Sequence, residues 1–286
     1  MTGAEKSPAG AAGRRASWWR SETGVRTLSA VVLLPVVLFL VWLGGWGFAA
    51  LVAVLAALVL VEWLDICAIP RGGLVTGLIG AVATATALGG LYLAPLSAFG
   101  LAVVLSGLMA VVAPPRRGYA LAGALYALLP TVALVLLRRG DQGVFLIAFV
   151  FAVVWATDVL AYVVGRALKG PKLCPAISPG KTWSGAIGGF VSGVGAGVGI
   201  GLLAGSPDPL RVGILSAVLS VGSILGDLFE SGLKRRFKVK DASRLIPGHG
   251  GVMDRVDGVI AAALLAVLLG YLLGGSAGAG AGLFGR

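Results

Sequence analysis

The residues best suited to chemistry lie in one polar segment, Ser231 to Asp257, between two apolar runs. Three carboxylates and the chain's single histidine, His249, stand there beside seven cations. The carboxylates are Asp241, Asp254 and Asp257, and the cations are Lys234, Arg235, Arg236, Lys238, Lys240, Arg244 and Arg255. Cations bind phosphate and carboxylates bind divalent metal, so this mixture indicates phosphate and metal chemistry at a membrane face.

A second group of polar residues precedes this segment. Asp227, Glu230 and Ser231 are spaced three and four residues apart, which places them on one face of a helix. Asp254 and Asp257 are also three apart, where the next apolar run begins and the helix dipole favours carboxylates. Capping could account for that pair, but it does not explain so many acids on one side of a mostly apolar chain. One or two carboxylates together with substrate phosphates are the usual ligands of Mg²⁺.

The polar loop at 166–183 contributes a third group, Ser178, Lys181 and Thr182. Gly180, Lys181 and Thr182 are similar to the end of a nucleotide-binding glycine loop. Pro175 stands where that motif requires glycine, so we reject it. The hydroxyls and the ammonium still precede a predicted helix, where an anion would be favoured.

Two isolated residues each allow two interpretations. Asp158 lies in an apolar run with Tyr162 four residues later, and either pairs with a neighbouring helix or lines a functional cavity. His249 lies among glycines in a charged loop and is either structural or catalytic. The backbone amides of that turn could approach a phosphate.

The elements that must position these groups are apolar helices. Hydrophobic residues make up 58% of the chain and charged residues only 12%, and apolar runs of about 20 residues recur along it. We predict an all-α polytopic membrane protein with about nine transmembrane helices in one domain, residues 27–274. A disordered cytoplasmic tail, 1–26, and a flexible Gly/Ala-rich tail, 275–286, flank it. The predicted spans are 27–44, 46–64, 73–91, 93–113, 119–137, 143–165, 184–204, 210–230 and 257–274.

The distribution of basic residues predicts the orientation. Of the 23 lysines and arginines, 19 lie in the N-terminal tail and the even-numbered loops, and four lie on the other side. The positive-inside rule then places the N-terminus and the polar loops 166–183 and 231–256 in the cytoplasm, as in a multi-pass protein of the cell inner (plasma) membrane.

Composition also bears on partners. The net charge of +11 is better explained by contact with anionic membrane lipids than by binding of nucleic acid. We therefore exclude nucleic acid as a partner. Five glycines spaced four apart, from Gly185 to Gly201, form a ridge for close helix packing. That packing could lie within the monomer or at the seam of a homodimer.

These motifs resemble one known family. The run Ser231-x-Leu233-Lys234-Arg235-x4-Lys240-Asp241-x-Ser243-x2-Ile246-Pro247-x-His249-Gly250-Gly251-Val252-x-Asp254-Arg255-Val256-Asp257 is similar to the signature of phosphatidate cytidylyltransferases, or CDP-diacylglycerol synthases. Two further stretches, Asp158 to Arg166 and Ser178 to Trp183, resemble others that the family shares. The resemblance covers the C-terminal half closely, and the N-terminal half only as apolar spans.

The resemblance implies the reaction of CTP with phosphatidate to give CDP-diacylglycerol and pyrophosphate, with Mg²⁺ and allowing a second cation. The lipid phosphate is itself a nucleophile, so positioning and charge neutralisation suffice. On this hypothesis Asp227 and Asp241 are metal ligands, with Asp254 and Asp257 as further candidates. The other site residues are cations for phosphate, contacts to substrate and the lone histidine: Lys234, Arg235, Lys240, Arg255, Ser178, Lys181, Thr182, Ser231, Asp158, Tyr162 and His249.

Two other classes of protein are alternatives to this interpretation of the sequence. An ion-coupled transporter would use Asp158 and Asp227 as ion sites, but it predicts polar residues over several spans and an internal repeat, and the sequence has neither. A lipid kinase such as a polyprenol kinase would also join nucleotide and lipid chemistry. Substrate competition would separate it from a cytidylyltransferase.

Overall fold

The apolar runs fold as ten helices in the computed structural model, which describes residues 22–113, 116–243, 245, 250–275 and 278–285. One two-stranded hairpin lies between the sixth and seventh helices. The elements are α1 (Glu22–Leu43), α2 (Gly45–Ile66), α3 (Gly73–Tyr92), α4 (Pro95–Val112), α5 (Arg117–Arg138), α6 (Gly143–Leu168), β1 (Lys172–Cys174), β2 (Ser178–Thr182), α7 (Trp183–Leu203), α8 (Pro209–Arg236), α9 (Met253–Gly274) and α10 (Gly278–Phe284).

Eight helices within the described residues, α2 to α9, are long and apolar enough to cross a membrane. The apolar part of α1 that qualifies is shorter, Leu33–Leu43. The predicted all-α polytopic membrane fold is therefore confirmed, and each of the nine predicted spans corresponds to one helix from α1 to α9.

The glycine ridge of α7 packs inside the monomer. All five glycines are buried, and a Cβ added at Gly193 would overlap the Thr157 hydroxyl of α6 and lie 3.1 Å from the Ser220 hydroxyl of α8. The two hydroxyl oxygens are 2.8 Å apart. Small residues therefore let α6, α7 and α8 meet at backbone distance, which is how helices associate where lipid removes the usual hydrophobic driving force.

The N-terminal helices pack against this group through aromatic rings. Trp63 of α2 stacks on Phe229 of α8 with ring centroids 6.1 Å apart, and it contacts Tyr126 of α5 at 5.0 Å. The Trp63 indole N–H donates to the carbonyl oxygen of Tyr119 at 2.9 Å. A buried indole with a satisfied N–H fixes the relative positions of α2, α5 and α8.

Both ends of the domain differ from prediction. The helix α1 begins at Glu22, inside the predicted tail 1–26, whose residues 1–21 lie outside the described part of the chain. The predicted flexible tail is wrong for 278–284, which form the packed helix α10. Its Phe284 is fully buried against Phe149, and Gly282 contacts the backbone of Gly270. Glycine at both positions permits that approach, so a composition typical of flexible tails here makes a helix contact.

The polar loops are also shorter than predicted. The helix α8 continues to Arg236 and α9 begins at Met253, so the loop between them spans 237–252 rather than 231–256. In the other loop, 166–183, α6 continues to Leu168 and the rest is largely the hairpin.

Arginines close the ends of helices on the face opposite the polar loops. Arg138 donates to the carbonyl oxygen of Trp42 at 2.7 Å, at the end of α1. Arg139 donates to the carbonyl oxygen of Leu93 at 2.7 Å, at the end of α3, and Arg211 donates to a carbonyl of α10. Cations at helix C-termini satisfy free carbonyls and offset the negative end of the dipole.

Candidate active site

A cavity of about 790 Å³ opens where α6, the hairpin, α7, α8 and α9 converge. Four carboxylates and five cations line it, and glycines and small apolar residues form much of the remaining wall. The ionisable lining residues are Asp158, Arg166, Lys169, Lys172, Lys181, Asp227, Asp254, Arg255 and Asp257. A mixed lining of this kind suits a multiply charged anion together with cations.

The hairpin holds Lys181 over the cavity. After α6 the backbone turns at Gly170, whose φ of +107° is accessible to glycine at little cost. β1 and β2 then pair antiparallel, with Lys172 opposite Thr182. The Thr182 hydroxyl caps α7 by accepting from the backbone N–H of Gly185 at 3.1 Å. Lys181 is therefore anchored by a helix cap on one side and by a strand pair on the other.

Lys181 and Asp227 form an ion pair between two residues that line the cavity. The Lys181 ammonium lies 2.5 Å from Oδ2 of Asp227 on α8. The other oxygen, Oδ1, accepts from the Ser231 hydroxyl at 3.2 Å, one turn later on the same helix. Both side chains are partly exposed to the cavity, at 26% and 32%. An anionic substrate entering here would compete with Asp227 for the ammonium.

A second set of ion pairs lies beside the start of α9. Lys234 contacts Asp254 Oδ1 at 2.5 Å and Glu230 Oε1 at 3.0 Å, and Glu230 is fully buried. Asp254 Oδ2 accepts from the backbone N–H groups of Ala242 at 2.9 Å and Gly251 at 3.0 Å. Asp254 therefore joins α8, the loop 237–252 and α9 at one point.

The wall formed by α6 carries Asp158 and Tyr162 on its exposed face. Tyr162 is 65% exposed, and its hydroxyl accepts from Arg166 at 2.7 Å. Asp158 lines the cavity although it lies in the middle of a membrane-spanning helix. The cavity thus extends along α6 from the polar loops to Asp158.

Eight of the residues predicted from the sequence line this cavity: Asp158, Tyr162, Lys181, Thr182, Asp227, Asp254, Arg255 and Asp257. Six others do not line it, and His249 lies outside the described residues. The six are Ser178, Ser231, Lys234, Arg235, Lys240 and Asp241.

Those six differ in what they contact, and Ser178 pairs with Cys174 in the hairpin. Ser231 and Lys234 reach the cavity only through the carboxylates they hold. Arg235 donates to the carbonyl oxygen of Ile177 in the hairpin turn at 3.2 Å, which ties α8 to the hairpin. Lys240 and Asp241 are exposed in the loop after α8. The pairing of Asp227 with Asp241 at one metal stays a prediction that the cavity lining does not favour.

Sequence reasoning missed several residues that the fold brings to this region. Arg166, Lys169 and Lys172 line the cavity, and their clustering in one loop was the available signal. Glu62 of α2 was also missed. It is 2% exposed, and its carboxylate accepts from the backbone N–H groups of Val252 and Met253. An acid inside an apolar run was the only sign of it.

The cavity lining fits a divalent cation that is completed by substrate. Among the described residues no group of three or more His, Cys, Asp or Glu side chains is arranged to hold a metal. Asp227 and Asp257 line the same cavity, and Mg²⁺ commonly takes one or two carboxylates plus waters and phosphate oxygens. These two carboxylates are compatible with a divalent cation whose other ligands are waters and phosphate oxygens.

Fold and cavity together define a multi-pass membrane protein whose polar site suits phosphate-bearing substrates. Residues 24–273 match the sequence model of the cytidylyltransferase family. The chain belongs to that family, which confirms the resemblance that the motifs indicated.

Individual relatives agree with this assignment. A phosphatidate cytidylyltransferase of Brucella abortus biovar 1 is 41% identical over 263 residues, which cover 86% of this chain and 92% of that protein. One from Haemophilus influenzae is 44% identical over 147 residues, covering 47% of this chain and 51% of that protein. One from Rickettsia bellii is 37% identical over 152 residues, covering 51% and 66%.

Proposed function

We propose that this protein transfers a cytidylyl group from CTP to phosphatidate, giving CDP-diacylglycerol and pyrophosphate. The observation that carries the proposal is that residues from three stretches resembling the family's shared motifs line one cavity, in a chain 41% identical to a phosphatidate cytidylyltransferase over most of its length. Asp158, Lys181 and Asp257 represent the three stretches.

The chemistry requires no covalent enzyme intermediate. An oxygen of the phosphatidate phosphate attacks the α-phosphorus of CTP, and the bond from that phosphorus to the bridging oxygen breaks as pyrophosphate leaves. Negative charge accumulates on the transferring and leaving groups, so the protein must position them and neutralise them. Lys181, Arg166 and Arg255 are suited to this because their side chains line the cavity.

Asp227 and Asp257 would hold a divalent cation, Mg²⁺ on our proposal, that supplies further neutralisation of phosphate charge when it is bound. A second cation would require a further carboxylate in the same cavity, and Asp158, which also lines it, could be that ligand. In the proposed orientation the polar loops beside the cavity face the cytoplasm, where CTP is available. The inner membrane around the protein would supply phosphatidate. The acyl chains would enter along the exposed face of α6.

The position of a radiolabel distinguishes this reaction from a lipid kinase. Purified protein in detergent is incubated with dioleoyl phosphatidate, Mg²⁺ and CTP labelled at either the α- or the γ-phosphate. Cytidylyl transfer places α-label in the organic phase and releases the γ-label as pyrophosphate, which stays in the aqueous phase. EDTA should abolish both the lipid label and the release of pyrophosphate. A polyprenol kinase would instead place γ-label on a polyprenol substrate. Folded protein that yields no organic label with phosphatidate would refute the proposal.

A further inference from the structure

Glu62 makes contacts unlike those of any other acid that the structure describes in the N-terminal helices. It lies near the end of α2, a helix of otherwise mostly apolar residues, and is only 2% exposed. Oε1 accepts from the Ser243 hydroxyl at 2.5 Å and from the Val252 backbone N–H at 2.9 Å. Oε2 accepts from the Met253 backbone N–H at 2.7 Å. Every one of these donors lies at least 181 residues away in sequence.

These contacts supply what the start of α9 lacks. The residue at its N-cap position is Val252, which has no side chain that can accept a hydrogen bond. The first N–H groups of a helix need acceptors, and a carboxylate is the strongest because its charge also complements the helix dipole. Glu62 fills that place from another helix, so the cap connects two distant parts of the chain.

The same turn carries the acids of the cavity. Asp254 follows Met253 directly, accepts from the Gly251 N–H at 3.0 Å and binds Lys234 at 2.5 Å. Asp257 lies one turn further along α9, and both carboxylates line the cavity. The position of these two acids relative to α8 therefore depends on where the first turn of α9 is held.

Packing around the cap leaves little room for adjustment. A Cβ added at Gly251 would lie 2.9 Å from Glu62 Oε2, 3.0 Å from Asp254 Oδ2 and 2.8 Å from the Cβ of Ala242. Any side chain larger than that of glycine would displace one of the two carboxylates. Glu62 and Asp254 thus bind adjacent N–H groups of the same backbone segment, 251–253.

We propose that Glu62 is a positioning residue for the reaction, which holds the first turn of α9 so that Asp254 and Asp257 face the cavity. The proposal rests on the function proposed above. It assigns to the N-terminal helices a direct part in shaping the site, beyond forming apolar spans. Glu62 does not line the cavity, and its effect passes through the backbone of Val252 and Met253.

The test compares Glu62→Gln with Glu62→Asp. Glutamine keeps the size of the side chain, but its amide nitrogen is a donor and accepts no hydrogen bond. The backbone N–H that faces this nitrogen, that of Val252 or Met253, therefore loses its partner. We expect kcat to fall roughly 10- to 100-fold, the scale of a misplacement near 1 Å, while KM for CTP stays within about 3-fold. Aspartate restores the charge and should recover part of kcat.

Two further readouts separate positioning from general instability. Hydrogen–deuterium exchange of the backbone amides at 250–256 should accelerate in Glu62→Gln, while exchange at 178–182 stays unchanged. The control is Asp208→Ala, which removes the N-cap of α8 at the opposite face, where Asp208 accepts from the Arg211 N–H. It should lower the melting temperature and leave kcat unchanged.

The proposal is overturned if Glu62→Gln keeps kcat within 3-fold of wild type, or if exchange at 250–256 does not change. It is equally overturned if Asp208→Ala loses as much kcat, or if aspartate is no better than glutamine. Wild-type protein that makes no product would refute the proposed function and with it the catalytic part of this proposal. The exchange experiment would then still decide whether Glu62 holds the turn.

Discussion

One substitution in the ion pair between Lys181 and Asp227, Asp227→Asn, distinguishes a role of Asp227 in catalysis from a role in stability. Asparagine keeps the shape of the side chain and removes its charge. The Lys181 ammonium, which lies 2.5 Å from Oδ2 of Asp227, would lose its charged partner. The amide oxygen of asparagine could still accept the hydrogen bond from the Ser231 hydroxyl. The change therefore removes charge from the cavity with little change in packing.

The two possible roles of Asp227 predict effects of different size. A pair whose members are 26% and 32% exposed is screened by solvent, so its loss should cost about 1 kcal/mol of stability. Losing a carboxylate that holds a cation at the reacting phosphates should cost about 3 to 4 kcal/mol of transition-state stabilisation, or roughly 100- to 1,000-fold in kcat. We expect the larger effect on kcat and the smaller one on stability.

The assay measures transfer of α-labelled CTP into lipid over a range of Mg²⁺ concentrations, with the melting temperature determined in the same detergent. The matched control is Asp65→Asn. Asp65 also accepts from a cation, Arg71 at 2.9 Å, but it lies outside the cavity and is 47% exposed. The activity of Asp65→Asn should therefore stay near that of wild type. Near-normal kcat and Mg²⁺ dependence in folded Asp227→Asn would refute the assignment of Asp227 to the metal.

Three further predictions concern the scaffold. Gly193→Val should destabilise the protein by about 1–3 kcal/mol, since its new side chain would overlap α6. Gly195→Val, where a Cβ would meet nothing within 4 Å, should leave the melting temperature unchanged. Cys67 should resist maleimide at pH 8 while the less buried Cys174 reacts, as read by mass spectrometry, because burial raises the pKa of the Cys67 thiol to about 11 and keeps it protonated. Arg139→Met should lower the melting temperature through loss of its bonds to carbonyls at the end of α3, equivalent to about 1–3 kcal/mol.

Each of these has a contrary result. Equal melting temperatures for the two glycine variants would mean that the α7 ridge is not a tight seam. Labelling of Cys67 in folded protein at a rate like that of Cys174 would contradict its burial. An unchanged melting temperature for Arg139→Met would mean that water replaces the guanidinium at the end of α3 without loss.

Much of the fold follows from local sequence. Every predicted span corresponds to a helix because runs of apolar residues have few alternatives in a membrane. The sequence did not predict the hairpin, since Lys172 to Thr182 contains Pro175 and Pro179 and short strands are defined by pairing rather than by composition. The helix α10 was missed for a related reason: its stability comes from contact with Gly270, which sequence alone does not place nearby.

The candidate site was predictable as a set of residues but not as an arrangement. Spacing identified Asp227, Asp254 and Asp257, because acids near predicted helix ends are rare in so apolar a chain. It did not distinguish Lys181, which meets Asp227, from Lys240, which is exposed in the loop. Such pairings depend on how α6, α7 and α8 cross, and the cap that Glu62 provides for α9 spans 190 residues or more.

The arginine caps bear on the electrical asymmetry of the protein in its membrane. On the face away from the cavity, Arg138, Arg139 and Arg211 are each bound to helix carbonyls, so the negative ends of helix dipoles partly cancel their charge. On the cavity face, Lys169 and Lys172 are exposed and line the cavity with other cations. Each uncompensated cation near a surface attracts anionic lipid by about 1 kcal/mol. The bilayer around the cavity should therefore be enriched in anionic lipids, and the local supply of a phosphatidate substrate would exceed its average in the membrane.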